Sequence, residues 1–268
     1  MHNPNSLTTL ASALAYAMGV EAPACAEGAN PDLVAFVDEF FGGQKIDRLV
    51  MYNPDAIAEW IYKKYPAFMA KASEIADIEV PMSTVMPSVT PVCFGTMYTG
   101  ASPAVHGIQK YEKPIIRIDT LFDAWVRAGK KVALITYGVC SLSKIFLERP
   151  IDYYHFPEGQ VEDVNAKAVE LLLKNEHDVY VIYNGNYDST MHKNGPESPL
   201  SLAELRLNAS MYRTIASIIG EHWTGHNTLL GFAMDHGCHE IDGQNGSHGL
   251  DMDEDINIVH LYKGFKKK

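Results

Sequence analysis

The chain has 268 residues, 47% of them hydrophobic, enough to bury the core of one large α/β domain. A formal net charge of −11 argues against binding to nucleic-acid backbones, so no nucleic-acid polymer is expected as a partner. Cys25, Cys93, Cys140 and Cys238 follow neither zinc-finger nor disulfide-framework spacing, which fits a reducing compartment. No apolar run is long enough to span a bilayer, and no membrane partner is expected. Leu10–Met18 followed by Ala22-Pro-Ala-Cys-Ala26 mimics a secretory signal, but basic residues do not precede it and Glu21 interrupts it. The expected location is cytoplasmic, with export through that signal-like start as the alternative.

Ser6 or Thr8 is predicted to cap a helix through Met18 that Gly19 closes, and a second helix covers Pro31–Phe41. Arg48–Asn53 reads as a strand leading into Pro54-Asp55. Helices follow over Ala56–Tyr62 and Ala67–Ile75, then a strand at Asp77–Val80. Thr90-Pro91 has the form of an N-cap with proline at the first helical position, opening a helix over Val92–Thr99. A helix over Thr120–Ala128 feeds the strand Lys131–Thr136. The helix Val161–Lys174 feeds an apolar run from Asp178 to Asn186. The longest amphipathic helix, Leu202–Ile219, is closed by Gly220 and precedes the run Thr228–Met234. Asn257–Tyr262 reads as a late strand and Lys266–Lys268 as a frayed tail. Helix then strand recurs, which predicts an α/β fold with a mainly parallel central sheet and helices on both faces. No repeat or linker divides residues 1–268, so one domain is expected, a helical segment over 1–45 preceding a core over 46–263.

Three apolar runs thus each deliver an aspartate at their carboxyl end: Asp55, Asp188 and Asp235. Open α/β sheets hold their ligands there. His192 follows Asp188 by four residues, a spacing that shares one helix face or converges in a tight loop; Lys193–Ser198 favours the loop. Asp235 and His236 would point to opposite faces of a strand, so both serve one site only if the chain turns, which Gly237 permits. His248 lies between Gly246 and Gly249, in a loop whose backbone must pass close to something. Carboxylates and neutral imidazoles are donors that zinc accepts. A helix N-terminus at Thr90 suits a phosphate, and a hydroxyl beside a divalent ion can become an alkoxide nucleophile. The plainer readings make Asp55 the N-cap of a helix at Ala56, Asp235 a turn cap and Thr90 only a helix cap. His106 reads as structural, His222 and His226 as exposed, and His239 as either a neighbour of the site or solvent-facing. Asp251–Asp255 lacks calcium-loop spacing and reads as a solvated loop. Lys110, Lys113 and Lys193 read as surface lysines.

The segment Thr90-Pro-Val-Cys-Phe-Gly-Thr-Met-Tyr-Thr-Gly-Ala-Ser-Pro-Ala-Val-His-Gly-Ile108 resembles the nucleophile region of the alkaline phosphatase superfamily, most of all its type I phosphodiesterase/nucleotide pyrophosphatase branch. Asp188-Ser-Thr-Met-His192, Gly195-Pro-Glu-Ser198, Asp235-His-Gly237 and Ser247-His-Gly249 follow in that branch's order, and Leu121–Leu134 is similar to its helix–strand step. The resemblance covers about residues 46 to 263 and implies two divalent ions, zinc or alternatively manganese. Asp188, His192 and His248 would hold one, and Asp55, Asp235 and His236 the other, with Thr90 as bridging nucleophile. It implies a hydrolase of small anionic phosphate esters, diesters ahead of monoesters, working through a phospho-threonine. Phosphomonoesterase, phosphonate hydrolase or phosphomutase activity on the same residues is the alternative. A catalytically silent metal-containing binding module is the rival of another class.

Three features depart from the family pattern. Ala56 follows Asp55 where the family has glycine. Cys93 stands where nucleotide-hydrolysing relatives carry an asparagine on a phosphoryl oxygen, which makes it a candidate substrate contact. Thr9–Gly19 resembles the helix that usually ends such hydrolases, which implies a rearranged or extended topology.

Overall fold

Strands apolar at every position need cover on both faces, and such strands form the middle of this molecule. The computed structural model describes residues 1–156 and 161–268. The N-terminal segment supplies β1 (Asn5–Ser6), a 3-10 turn at Leu7–Thr9, α1 (Leu10–Met18) and α2 (Pro31–Phe41). Then come β2 (Arg48–Pro54), α3 (Glu59–Lys64), α4 (Pro66–Ser73), β3 (Ile78–Ser83), α5 (Thr90–Thr99) and α6 (Pro103–His106). α7 (Leu121–Arg127), β4 (Val132–Tyr137), α8 (Ser141–Ile145), β5 (Asp152–Phe156), α9 (Val161–Lys174) and β6 (Val179–Asn184) follow. α10 (Asn186–Asn194), α11 (Pro199–His222), β7 (Thr228–Phe232), a hairpin of β8 (His239–Ile241) and β9 (Asn245–Ser247), α12 (Asp253–Ile256) and β10 (Asn257–Phe265) complete the chain.

The eight-stranded sheet has the order β1-β3-β10-β7-β2-β6-β4-β5. Every neighbouring pair is parallel except those made by β10, which runs antiparallel to both β3 and β7. The predicted mainly parallel α/β sheet is therefore present. Its central strands β7, β2 and β6 are buried along almost their whole length, which places all three aspartate-bearing strands side by side. α1 buries Leu10, Leu14, Ala17 and most of its other residues, and packs on α2, α5 and α7. The helical N-terminal segment thus supports the helix that begins at Thr90. No helix is long and apolar enough to cross a membrane, a statement that covers the described residues only.

Several local expectations are corrected. The helix predicted from Ala56 begins at Glu59 with Ala58 at its N-cap, so Asp55 caps nothing. Gly220 does not stop α11, which runs on to His222. A single glycine within a helix costs only about 1 kcal/mol relative to alanine, less than the packing of the buried face of α11 returns. The C-terminal tail is not frayed: Lys267 N–H donates to Asn227 Oδ1 at 3.1 Å and Lys268 N–H to the Thr224 carbonyl at 2.8 Å. β5, α8 and the β8–β9 hairpin went unpredicted.

Arg149 holds the 116–123 segment in place from inside. Its buried guanidinium donates to Thr120 Oγ1 at 3.1 Å, Asp123 Oδ2 at 3.0 Å and the Ile116 carbonyl at 3.0 Å. Thr120 and Asp123 are themselves the capping box of α7. Removing the cation strands several buried acceptors, so Arg149→Met is expected to cost roughly 3 kcal/mol in urea-unfolding measurements.

Candidate metal centre

The carboxyl ends of β7, β2 and β6 converge, and the predicted residues meet there in two groups. Asp188, His192 and His248 offer ligand atoms all within 4.8 Å of one another, as do Asp55, Asp235 and His236. The His236 and His248 rings lie 4.1 Å apart, so the groups adjoin.

Asp55 follows β2 directly, its N–H donating to the Asn184 carbonyl at the end of β6 at 2.9 Å. The next residue, Ala56, has φ 61°, a left-handed conformation that costs a non-glycine residue about 1–2 kcal/mol. Its N–H points at Asp235 Oδ1 at 3.1 Å, so the strained turn aims a donor into the site. This is the position where the family resemblance leads one to expect glycine.

Asp188 and His192 lie within α10, not in the expected loop, and the four-residue spacing sets both on one face. The β8–β9 hairpin packs on that helix: the Gly246 carbonyl accepts from His192 Nδ1 at 2.9 Å, and a Cβ at Gly246 would collide with Met191. That collision supplies the close approach expected around His248. Beyond β7, His260 Nε2 donates to the Met234 carbonyl at 2.7 Å and Thr84 Oγ1 to that of Asp235 at 2.7 Å. Gly237 then passes so close to Glu254 that any Cβ would strike its carbonyl oxygen. Gly237 is needed for space and not, as expected, for a turn.

The histidine tautomers follow from their partners. His192 Nδ1 faces the Gly246 carbonyl, His236 Nδ1 that of Gly237 at 2.9 Å, and His248 Nδ1 that of Ser88 at 3.0 Å. A carbonyl only accepts, so each Nδ1 carries hydrogen and each neutral ring turns a bare Nε2 inward. His192 Nε2 and His248 Nε2 lie 3.1 Å apart, and Asp188 Oδ1 lies 3.2 and 3.4 Å from them. His236 Nε2 lies 3.3 Å from Asp235 Oδ2 and 3.4 Å from Asp55 Oδ1. Asp188 Oδ1 and Asp235 Oδ2 are buried without a hydrogen-bond partner. Lone pairs facing lone pairs require a cation or a proton between them, and this donor set fits a divalent metal.

The electrostatics agree. Burial, then the charges of Asp235 and Asp188, push Asp55 well up. Burial, then Asp188, pushes Asp235 up to about 7. Burial lowers His236, and burial with neighbouring His236 lowers His248, keeping both neutral. Burial works against ionising Asp188, yet His192 and His248 hold it below the usual carboxylate range, and Asp188 raises His192 in turn.

Thr90 is the first residue of α5; Val89, not Thr90, is the N-cap. Its hydroxyl is therefore free of the capping bond that was expected. Thr90 Oγ1 lies 3.3 Å from His236 Nε2 and 3.5 Å from Asp55 Oδ1. Pro91 has no N–H, and the Val92 and Cys93 N–H groups both donate to the Val89 carbonyl at 3.0 Å. Fewer backbone donors are free there than a helix start implies. Cys93 is wholly buried, its thiol 3.1 Å from Thr84 Oγ1, the surroundings of a packing residue.

The residues set aside behave accordingly. His106 is buried against Thr96, and burial lowers it to about 4. His239 pairs with buried Asp255 at 2.8 Å, which removes Asp255 from a free acidic loop. His222 is exposed and His226 partly so. Sequence reasoning missed Tyr183, whose hydroxyl donates to Asp55 Oδ2, as well as Thr84 and His260.

No protein-family model matches the chain, and no curated protein matches its sequence. Solved structures do match. Murine ectonucleotide pyrophosphatase/phosphodiesterase 5, an inactive form in complex with AMP, superposes with a TM-score of 0.63 at 14% identity, over 82% of this chain and 89% of that one. The human protein gives 0.63 at 13% identity, over 81% and 87%. Phosphonoacetate hydrolase from Sinorhizobium meliloti 1021, in complex with phosphonoformate, gives 0.57 at 18% identity, over 76% and 61%. The chain has the alkaline-phosphatase-like α/β fold. The two donor groups and Thr90 lie at the carboxyl ends of the strands, the end at which open α/β sheets hold ligands.

Gly237→Ala is expected to push the Asp235–His236 backbone away from Glu254 at a cost on the order of 2 kcal/mol. Thermal melts with and without added zinc should show both a lower midpoint and a smaller zinc-induced rise than the parent chain.

Proposed function

We propose that the protein is a hydrolase of small phosphate esters that uses two divalent ions and Thr90 as nucleophile. The observation that carries this reading is the Thr90 hydroxyl, free of any capping role and within 3.5 Å of donors from the Asp55–Asp235–His236 group. Asp188, His192 and His248 would hold one ion, and Asp55, Asp235 and His236 the other, with Thr90 reaching toward the second. Mixed imidazole and carboxylate donors favour zinc, with manganese as the alternative. Bound there, the ions would acidify the hydroxyl and offset charge on the phosphoryl oxygens.

The chain's own residues then have defined tasks. Thr90 Oγ1 forms a bond to phosphorus as the bond from phosphorus to the leaving oxygen breaks, which gives a phospho-threonine. Water breaks the Oγ1–P bond in the second step and frees the product. The backbone carbonyls of Gly246, Gly237 and Ser88 hold the three imidazoles in the ligating tautomer throughout.

Phosphodiesters are placed ahead of monoesters because two structural neighbours are a nucleotide pyrophosphatase/phosphodiesterase and because three carboxylates against two divalent ions would leave only one net positive charge at the site. A diester's single negative charge asks less of such a site than a monoester's two. AMP in one structural neighbour and phosphonoformate in another support a small anionic substrate. The phosphonate in the second keeps phosphonate hydrolysis as the alternative on the same residues.

Turnover of an aromatic phosphodiester is expected to exceed that of the matching monoester and to vanish with chelator. Monoester preference would move the reading to a phosphatase or mutase. Thr90→Ala should lose about 10³-fold or more in kcat while retaining two metal ions per chain. Unchanged turnover would remove Thr90 from its role. His192→Ala should lower metal content from two ions toward one, and full occupancy in that variant would refute the ligand assignment.

A further inference from the structure

We infer that Tyr183 is a positioning residue: its hydroxyl fixes one carboxylate oxygen of Asp55 and keeps the other turned toward His236 and Thr90. The inference rests on the two-metal reading of this site. Tyr183 is the penultimate residue of β6 and is buried; its hydroxyl donates to Asp55 Oδ2 across the β2–β6 pair. The opposite oxygen, Oδ1, lies 3.4 Å from His236 Nε2 and 3.5 Å from Thr90 Oγ1. An unanchored carboxylate can rotate and exchange its oxygens, and a donor fixed on one of them removes that freedom.

The ring is held as firmly as the hydroxyl. It meets Phe94 of α5 edge to face at 5.7 Å and Tyr137 of β4 at 5.3 Å, so the nucleophile's helix and the next strand clamp it. Gly185 provides the second observation. Its φ of −103° suits any residue, so its backbone does not require glycine. A Cβ there would collide with the Tyr137 hydroxyl and lie 2.8 Å from that of Tyr183. Glycine at 185 thus reserves the space in which the two hydroxyls sit. Asp55 has no histidine within its own stretch of chain, unlike Asp188 and Asp235, and takes its orientation from this neighbouring strand.

Tyr183→Phe keeps the ring and deletes the anchor. Zinc binding to the full chain, followed by competition with a chromophoric chelator, should show one of two ions bound 10- to 100-fold more weakly and the other as in the parent. For an aromatic diester, kcat should fall by more than KM changes, and excess zinc should restore part of the loss. On an Asp55→Asn background the substitution should add nothing. Tyr137→Phe, whose hydroxyl only neighbours the anchor, should weaken the same ion by a smaller factor; it decides the matter if Tyr183→Phe does not fold. Two zinc ions bound with parental affinity in the variants would overturn the positioning role, as would equal weakening of both ions. A parent chain that takes up neither zinc nor manganese would overturn the two-metal reading itself and this inference with it.

Discussion

Three carboxylates brought to one end of three adjacent parallel strands repel one another, and burial makes each repulsion costlier. The order β7-β2-β6 places Asp235, Asp55 and Asp188 just beyond the ends of neighbouring strands, whose spacing is only about 5 Å. Water cannot relieve Asp55 and Asp235, which are buried. The three imidazoles turn lone pairs rather than protons toward them, because their Nδ1 hydrogens are committed to carbonyls. This end of the sheet is therefore a constellation that only added positive charge can satisfy. The strained Ala56 turn and the clash-bound glycines at 237 and 246 are the local costs of holding it together.

Thr90 depends on that arrangement. A threonine at the N-cap would spend its hydroxyl on its own helix, as Thr120 does for α7 by accepting from Asp123 N–H. At the first helical position the side chain projects away from the backbone it would otherwise cap. Val89 takes the cap position with no side-chain bond, and Pro91 fixes the first turn at no loss of an intrahelical hydrogen bond. α1 packs behind α5, so the N-terminal segment carries part of the cost of presenting a free hydroxyl.

Much of this was legible in the sequence because apolar runs that end in aspartate are local signals. Arg48–Asn53, Asp178–Asn186 and Thr228–Met234 all contain strands of the central sheet, and Pro31–Phe41 and Val161–Lys174 match α2 and α9 residue for residue. Thr90 was placed one position off because its hydroxyl type suits a cap and nothing nearby in sequence says where it turns. α10 was read as a loop because the turn-forming Lys193–Ser198 follows His192; the β8–β9 hairpin packed on α10 is a contact that the local sequence does not announce. Tyr183 was invisible for a different reason. In a buried strand it reads as one more aromatic residue, and its partner Asp55 lies 128 positions away. The plainer reading of Asp55 as an N-cap failed because helix α3 starts four residues later, after the left-handed turn.

The same geometry constrains how a substrate is recognised. With the two divalent ions proposed for the site, the three aspartates would leave one net positive charge, on a chain whose formal net charge is −11. On that reading the attraction for an anion comes from the ions and from the positive end of the α5 dipole. Without metal the same carboxylates would repel an anionic substrate. Metal loading and substrate affinity would then be coupled through charge, over the short distances at which salt screens little. A carboxylate that swings out of place weakens an ion's hold and lowers the potential at Thr90 in one move. That makes the orientation of Asp55, fixed from the neighbouring strand, as consequential as its presence.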